Sequence, residues 1–190
     1  GADVTREDLC FLDLARHCPG DRGALCTYFL NLLELAPGEA IFLAADEPHA
    51  YLNGTIVECM ANSNNVVRAG LTSKFMDVPV LLDMLTYEEA LPRVWRGEEM
   101  PGGGRRFEVP VSDFEVEIWE GATGEEWTIH SGDAVSLLLV LDGTVAFCVP
   151  GQEEILAETG SCWLWPGALS SCRMKMEAEN VRVVRAKSGF

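Results

Sequence analysis

The second half of this chain is a series of short apolar segments set apart by turn residues, and that pattern limits the fold more than any other feature. Phe114, Val116 and Ile118 alternate with Glu115 and Glu117; Trp127 and Ile129 follow; residues 135–141 and 144–149 flank Asp142-Gly143. Ile155-Leu156, Cys162-Trp163-Leu164-Trp165 and residues 181–184 complete the set. Alternation with a period of two places successive side chains on opposite faces of a strand. Asp-Gly between two apolar runs predicts a hairpin, and short strands with turn residues between them predict a sandwich or barrel.

The first half is more mixed. Thr5 with Asp8 three residues on is a capping box, so the spacing predicts a helix over residues 5–17, ended by Pro19-Gly20. Leu30, Leu32 and Leu35 interleaved with Asn31 and Glu34, then Pro37-Gly38, then Ala40-Ile41-Phe42-Leu43, read as strand, turn, strand. Residues 56–60 read as another strand, with Asn53-Gly54 as its turn, and Asp77 caps a short helix carrying Val80, Leu81, Met84 and Leu85. Residues 86–106 hold four acids, Pro92, Pro101 and the run Gly102-Gly103-Gly104-Arg105-Arg106, and form the best linker candidate. No internal repeat is evident.

Charge and cysteine content narrow the function classes. Fourteen Lys and Arg against 30 Asp and Glu leave a formal charge of -16, which argues against nucleic acid and anionic membranes as partners. The longest apolar stretch, residues 135–141, contains Ser136 and is far too short to span a bilayer. Seven cysteines at irregular spacing, with no secretory leader in front of them, point to reduced thiols and a cytoplasmic location.

The candidate chemistry lies in residues 48–74, where His49, Tyr51, Glu58, Arg68 and Lys74 fall among small and polar groups. Taken alone, His49 reads first as a hydrogen-bonded structural histidine and second as a metal ligand. Glu58 reads first as the solvent-facing member of an alternating strand and second as an inward carboxylate able to carry a proton. Arg68 and Lys74 are surface charges, or the local cations that a phosphate needs in so acidic a chain. Asn53-Gly54-Thr55 reads as a turn, the evenly spaced Cys10, Cys18 and Cys26 match no zinc-finger pattern, and Cys162-Trp163-Leu164-Trp165 reads as sheet packing before it reads as a sugar platform.

Four blocks carry a resemblance. Pro37-Gly38-Glu39-Ala40, Pro48-His49-Ala50-Tyr51-Leu52, Glu58-Cys59-Met60-Ala61 and Asn65-Val66-Val67-Arg68-Ala69-Gly70-Leu71-Thr72, in that order and spacing, resemble the type I mannose-6-phosphate isomerases, zinc enzymes of the cupin superfamily. Pro19-Gly20-Asp21 upstream and Lys74-Phe75-Met76-Asp77-Val78 downstream are also similar. The likeness is strong over residues 19–88 and weakens to strand pattern beyond. It implies a mainly β fold: cupin-type jelly-roll strands, a C-terminal β domain and a short helical segment in front. The implied divisions are 1–27, the end of a helical region; 28–88, the C-terminal part of the catalytic cupin; 89–107, a linker; and 108–190, a cupin-like β domain.

The resemblance further implies one zinc ion, with His49 as its last ligand and the remaining ligands outside this chain. It makes Arg68 the catalytic arginine and Tyr51, Lys74 and Asn64 substrate-binding residues; Glu58 is our candidate for the proton carrier. The implied reaction interconverts mannose 6-phosphate and fructose 6-phosphate through an enediol, and the expected state at full length is a monomer. No Gln-x-His pair occurs, Gln152 is the single glutamine, and His17, His49 and His130 are the only histidines. A catalytic zinc site takes three or more protein ligands, so the expectation is a C-terminal portion that is inactive alone and binds zinc poorly. Asn64 stands where the family has Asp, and Ser73 where it has Pro. Those departures leave a second reading open: a non-catalytic cupin-like sugar-binding or regulatory module. The isomerase reading expects His49 and Arg68 to line one concave barrel mouth.

Overall fold

The computed structural model describes residues 3–63, 65–89, 91–130, 132, 134–169 and 171–189. The chain forms two compact units. The first comprises Gly1–Pro37, Ile41–Ile56 and Ser63–Val94; the second comprises Gly38–Ala40, Val57–Asn62 and Trp95–Phe190.

The first unit opens with α1 (Arg6–His17), started by the expected capping box: Thr5 Oγ1 accepts from the Asp8 N–H, and Asp8 accepts from the Thr5 N–H. A 3-10 helix (Arg22–Tyr28) follows, capped by Asp21. The Tyr28 hydroxyl donates to Asp8 at 2.8 Å, tying it to α1. β1 (Ala40–Ile41) and β2 (Val94–Trp95) are strands of two residues each. α2 (Val78–Met84) starts at Asp77, whose carboxylate accepts from the Val80 N–H, with proline in the first turn.

The strands expected at residues 28–43 and 56–60 do not form, apart from the two residues of β1. Among the described residues, 42–77 hold neither helix nor strand. The alternation is present in the sequence, but a strand exists only as one side of a hydrogen-bonded ladder and must bury one face. The consequence is exposure. Among the described residues of this unit only Ala24 is buried, while Phe29 and Phe75 are 85% and 84% exposed.

The second unit is a two-layer antiparallel sandwich. Its strands are β3 (Glu98–Glu99), β4 (Arg105–Phe107), β5 (Phe114–Gly121), β6 (Glu126–His130), β7 (Ser136–Asp142), β8 (Thr144–Cys148), β9 (Ile155–Glu158), β10 (Cys162–Trp165), β11 (Ser171–Met176) and β12 (Val181–Ser188). One sheet runs β10-β7-β12-β5-β4-β3 and the other β6-β11-β8-β9. Trp119, Leu138, Val140 and Val183 from the first sheet meet Ile129, Val145, Phe147, Cys172, Met174 and Met176 from the second in one core. The expected alternation therefore holds, with inward residues of both sheets supplying the buried layer.

Asp142-Gly143 does not make a hairpin. β7 pairs with β10 and β12, whereas β8 pairs with β11 and β9, so the turn carries the chain from one sheet to the other. Gly143 sits at φ +77, and a Cβ there would stand 2.3 Å from the Asn180 carbonyl oxygen. The glycine is needed for that close corner. Gly102–Gly104 is likewise a packed turn between β3 and β4: a Cβ at Gly103 would strike the Trp127 indole and one at Gly104 the Trp119 indole.

A buried ion pair, Arg185 with Glu117, lies within the sandwich. Arg185 on β12 is 2% exposed; its Nε donates to Ser136 Oγ at 2.9 Å, and one guanidinium nitrogen donates to Glu117 (3.1 Å) and to the His130 carbonyl (2.9 Å). A buried cation is tolerated only with such a full set of acceptors.

Candidate functional site

The residues singled out in the sequence lie on loops. His49 follows Pro48 on an exposed stretch, and its Nδ1 sits 3.0 Å from the Glu47 carbonyl oxygen. If Nδ1 carries the proton, that bond leaves Nε2 as the free donor atom, the arrangement common for a metal-ligating imidazole. The Tyr51 ring stands 5.6 Å from the His49 ring, tilted by 57°, so the structure brings these two together. Glu58, Arg68 and Lys74 are exposed, and the Lys74 N–H donates to Thr72 Oγ1. Asn64 lies outside the described residues. His49, Tyr51, Arg68 and Lys74 belong to the first unit and Glu58 to the segment Val57–Asn62 of the second.

The loop that carries Arg68 is nevertheless held. Asp21 caps the 3-10 helix through Oδ1, which accepts from the Gly23 N–H at 2.7 Å; its Oδ2 accepts from the Leu71 N–H at 2.7 Å. The two glycines beneath this carboxylate nearly touch: a Cβ on Gly70 would lie 2.9 Å from the Gly23 Cα, and one on Gly23 would lie 3.0 Å from the Gly70 Cα. Gly70 is at φ +134 and Leu71 at φ +54, a tight left-handed corner that a β-carbon-bearing residue adopts only under constraint. Two similar blocks, Pro19-Gly20-Asp21 and Ala69-Gly70-Leu71-Thr72, are thus joined across 50 residues of sequence. Sequence reasoning assigned Asp21 no role. Its signal was the Asp-x-Gly pattern opening a helical turn.

Among the described residues no three His, Cys, Asp or Glu side chains converge so as to hold a metal. His49 fits zinc as one ligand, and among the described residues no further donors gather to complete a site. All seven cysteines are free thiols. Burial raises the Cys172 thiol to about 11, and burial together with Glu154 raises Cys148, so neither is an activated nucleophile. Among the described residues no helix is long and apolar enough to cross a membrane.

No protein-family model matches the chain. Mannose-6-phosphate isomerase of Bos taurus is 42% identical over 181 residues, covering 90% of this chain and 42% of that protein. The human protein of the same name is 41% identical over 182 residues, covering 92% of this chain and 43% of that protein. Among solved structures, mannose 6-phosphate isomerase from Salmonella typhimurium bound to fructose 6-phosphate and zinc matches with a TM-score of 0.84 at 27% identity, over 99% of this chain and 47% of that one. A zinc-bound holo form of mannose 6-phosphate isomerase matches with a TM-score of 0.83 at 27% identity, again over 47% of its length. The chain therefore spans about two-fifths of the length of the curated relatives and about half that of the solved ones.

Proposed function

We propose that this chain, a homologue of some two-fifths of a mannose-6-phosphate isomerase, is the C-terminal portion of an enzyme that interconverts mannose 6-phosphate and fructose 6-phosphate. The observation that carries the reading is the identity of 42% over 90% of the chain, which includes the blocks around His49 and Arg68. Residues 28–88 then belong to the catalytic cupin, 89–107 connect, and 108–190 form the second β domain. The working protein is a cytoplasmic monomer.

The roles follow from side-chain chemistry. A zinc ion held by His49 and by ligands outside this chain would polarise the oxygens of the open sugar. Arg68 offers a planar fork to a developing oxyanion or a phosphate, and Lys74 a compact charge for the phosphate. Tyr51, beside His49, supplies a hydroxyl at the sugar. Glu58 carries the proton between C1 and C2 once the surrounding walls desolvate it.

The test is zinc analysis and an isomerase assay on the longest natural product of the gene. One zinc per chain with turnover is expected, and neither is expected for these 190 residues alone. A zinc-free, inactive long product that still binds sugar phosphate would favour the non-catalytic module, the reading that Asn64 and Ser73 support.

A further inference from the structure

We infer that Asp21 is a positioning residue for Arg68, acting through the loop that carries it; this rests on the isomerase reading above. Leu71, whose N–H donates to Asp21 Oδ2 at 2.7 Å, is three positions after Arg68. The other carboxylate oxygen is spent on the Gly23 N–H at 2.7 Å, so both oxygens of one side chain hold two distant backbone segments at once. The junction has no room for adjustment, because each glycine Cα blocks a Cβ on the other. The corner it holds is unfavourable by itself: Leu71 takes φ +54, a conformation a branched apolar residue adopts only when the surroundings impose it. Bonds from a carboxylate to N–H groups are charge-assisted and short, which suits a clamp.

The chemical need is plain. A guanidinium gains its advantage over an ammonium only when its planar fork is aimed, and a misplacement of about 1 Å can cost about 100-fold in rate. Arg68 itself is exposed, in a stretch with neither helix nor strand, so the ladder that would ordinarily aim a side chain is absent on both sides of it. The Asp21 bridge supplies that constraint from outside the loop.

Two measurements test this. In the longest natural product of the gene, Asp21→Ala is expected to lower kcat at least tenfold with KM changed less than threefold, and Asp21→Asn, which keeps one acceptor oxygen, to lower it less. In an Arg68→Ala background the Asp21→Ala change is expected to add nothing, since a residue acting through Arg68 has no lever once Arg68 is gone. Asp77→Ala removes the cap of α2, whose carboxylate accepts from the Val80 N–H, and serves as the stability control, with kcat unchanged. An Asp21→Ala loss that multiplies with that of Arg68→Ala, or no loss, overturns the inference. Separately, amide exchange at Leu71 in the present chain is expected to speed up about tenfold or more in Asp21→Ala; unchanged exchange overturns the clamp. If the long product shows no turnover while the exchange result holds, the clamp stands and the isomerase reading fails.

Discussion

Leu138 in the second unit is 0% exposed, and Ile56 in the first is 50% exposed. Both occupy apolar stretches that the sequence marks for strands. Leu138 lies on β7, paired on one side with β10 and on the other with β12, and its side chain meets the opposite sheet. Ile56 lies in a described stretch that holds neither helix nor strand. The difference teaches that β structure is a property of pairs of segments: the same alternation gives a core where both ladders and both layers are present, and an exposed loop where they are not. The share of the relatives' length that this chain spans, about two-fifths, suits that contrast.

Substitutions break the comparison in order of expected size. Arg185→Met removes the charge at the centre of the Ser136, Glu117 and His130 contacts and leaves Glu117 with Arg106 as its ion-pair partner. Loss of one member of a buried pair costs about 3–5 kcal/mol, read as a lower denaturant midpoint by tryptophan fluorescence. An unchanged midpoint would mean that the sandwich does not depend on its buried charge. Leu138→Ala opens a cavity in the core and should cost about 2–5 kcal/mol by the same readout.

Gly104→Ala puts a Cβ 2.6 Å from the Trp119 indole at φ +79, and overpacking of that kind costs about 1–3 kcal/mol. Wild-type stability in this variant would show that the β3–β4 turn is not packed against the sandwich. Acid gives a smaller effect. Burial pushes Glu115 up, yet the Lys187 hydrogen bond and the Lys187 and Arg106 charges outweigh it and hold the carboxyl below its ordinary range. A depressed carboxylate contributes stability that is complete above the unfolded value of about 4.3 and disappears as pH falls through the lower folded value. Glu115→Gln should therefore flatten the pH dependence of unfolding below about pH 4.3. The smallest effect is expected for Ile56→Ala in the first unit, within about 0.5 kcal/mol, because that side chain has little burial to lose. A cost near that of Leu138→Ala would erase the contrast between the units.

Legibility followed the same division. α1 and the Asp77 cap were readable because a capping box acts within four residues. β5 to β10 and β12 were readable because inward and outward residues alternate against a solvent-facing side, as in β7, where Ser136, Leu138 and Val140 are buried; β3, β4 and β11 went unread. The Asp142-Gly143 hairpin was misread, since turn residues signal a reversal but not which strands pair afterwards. The candidate residues His49, Tyr51, Glu58, Arg68 and Lys74 came from motif blocks, and the structure sets the His49 and Tyr51 rings side by side. Asp21 escaped notice because its partner is 50 positions away.

By itself, the sequence determined what can be settled over a few residues: helix caps, turn positions, the alternating faces of strands, and the chemical types assembled in residues 48–74. Tertiary structure alone decided which strands share a sheet, that Arg185 is buried against Ser136, Glu117 and the His130 carbonyl, and that Asp21 grips the loop after Arg68. The reason is physical. Caps and turns close small rings of neighbouring atoms, whereas ladders, cores and long-range clamps exist only when distant segments are brought together, and no local pattern records the partner.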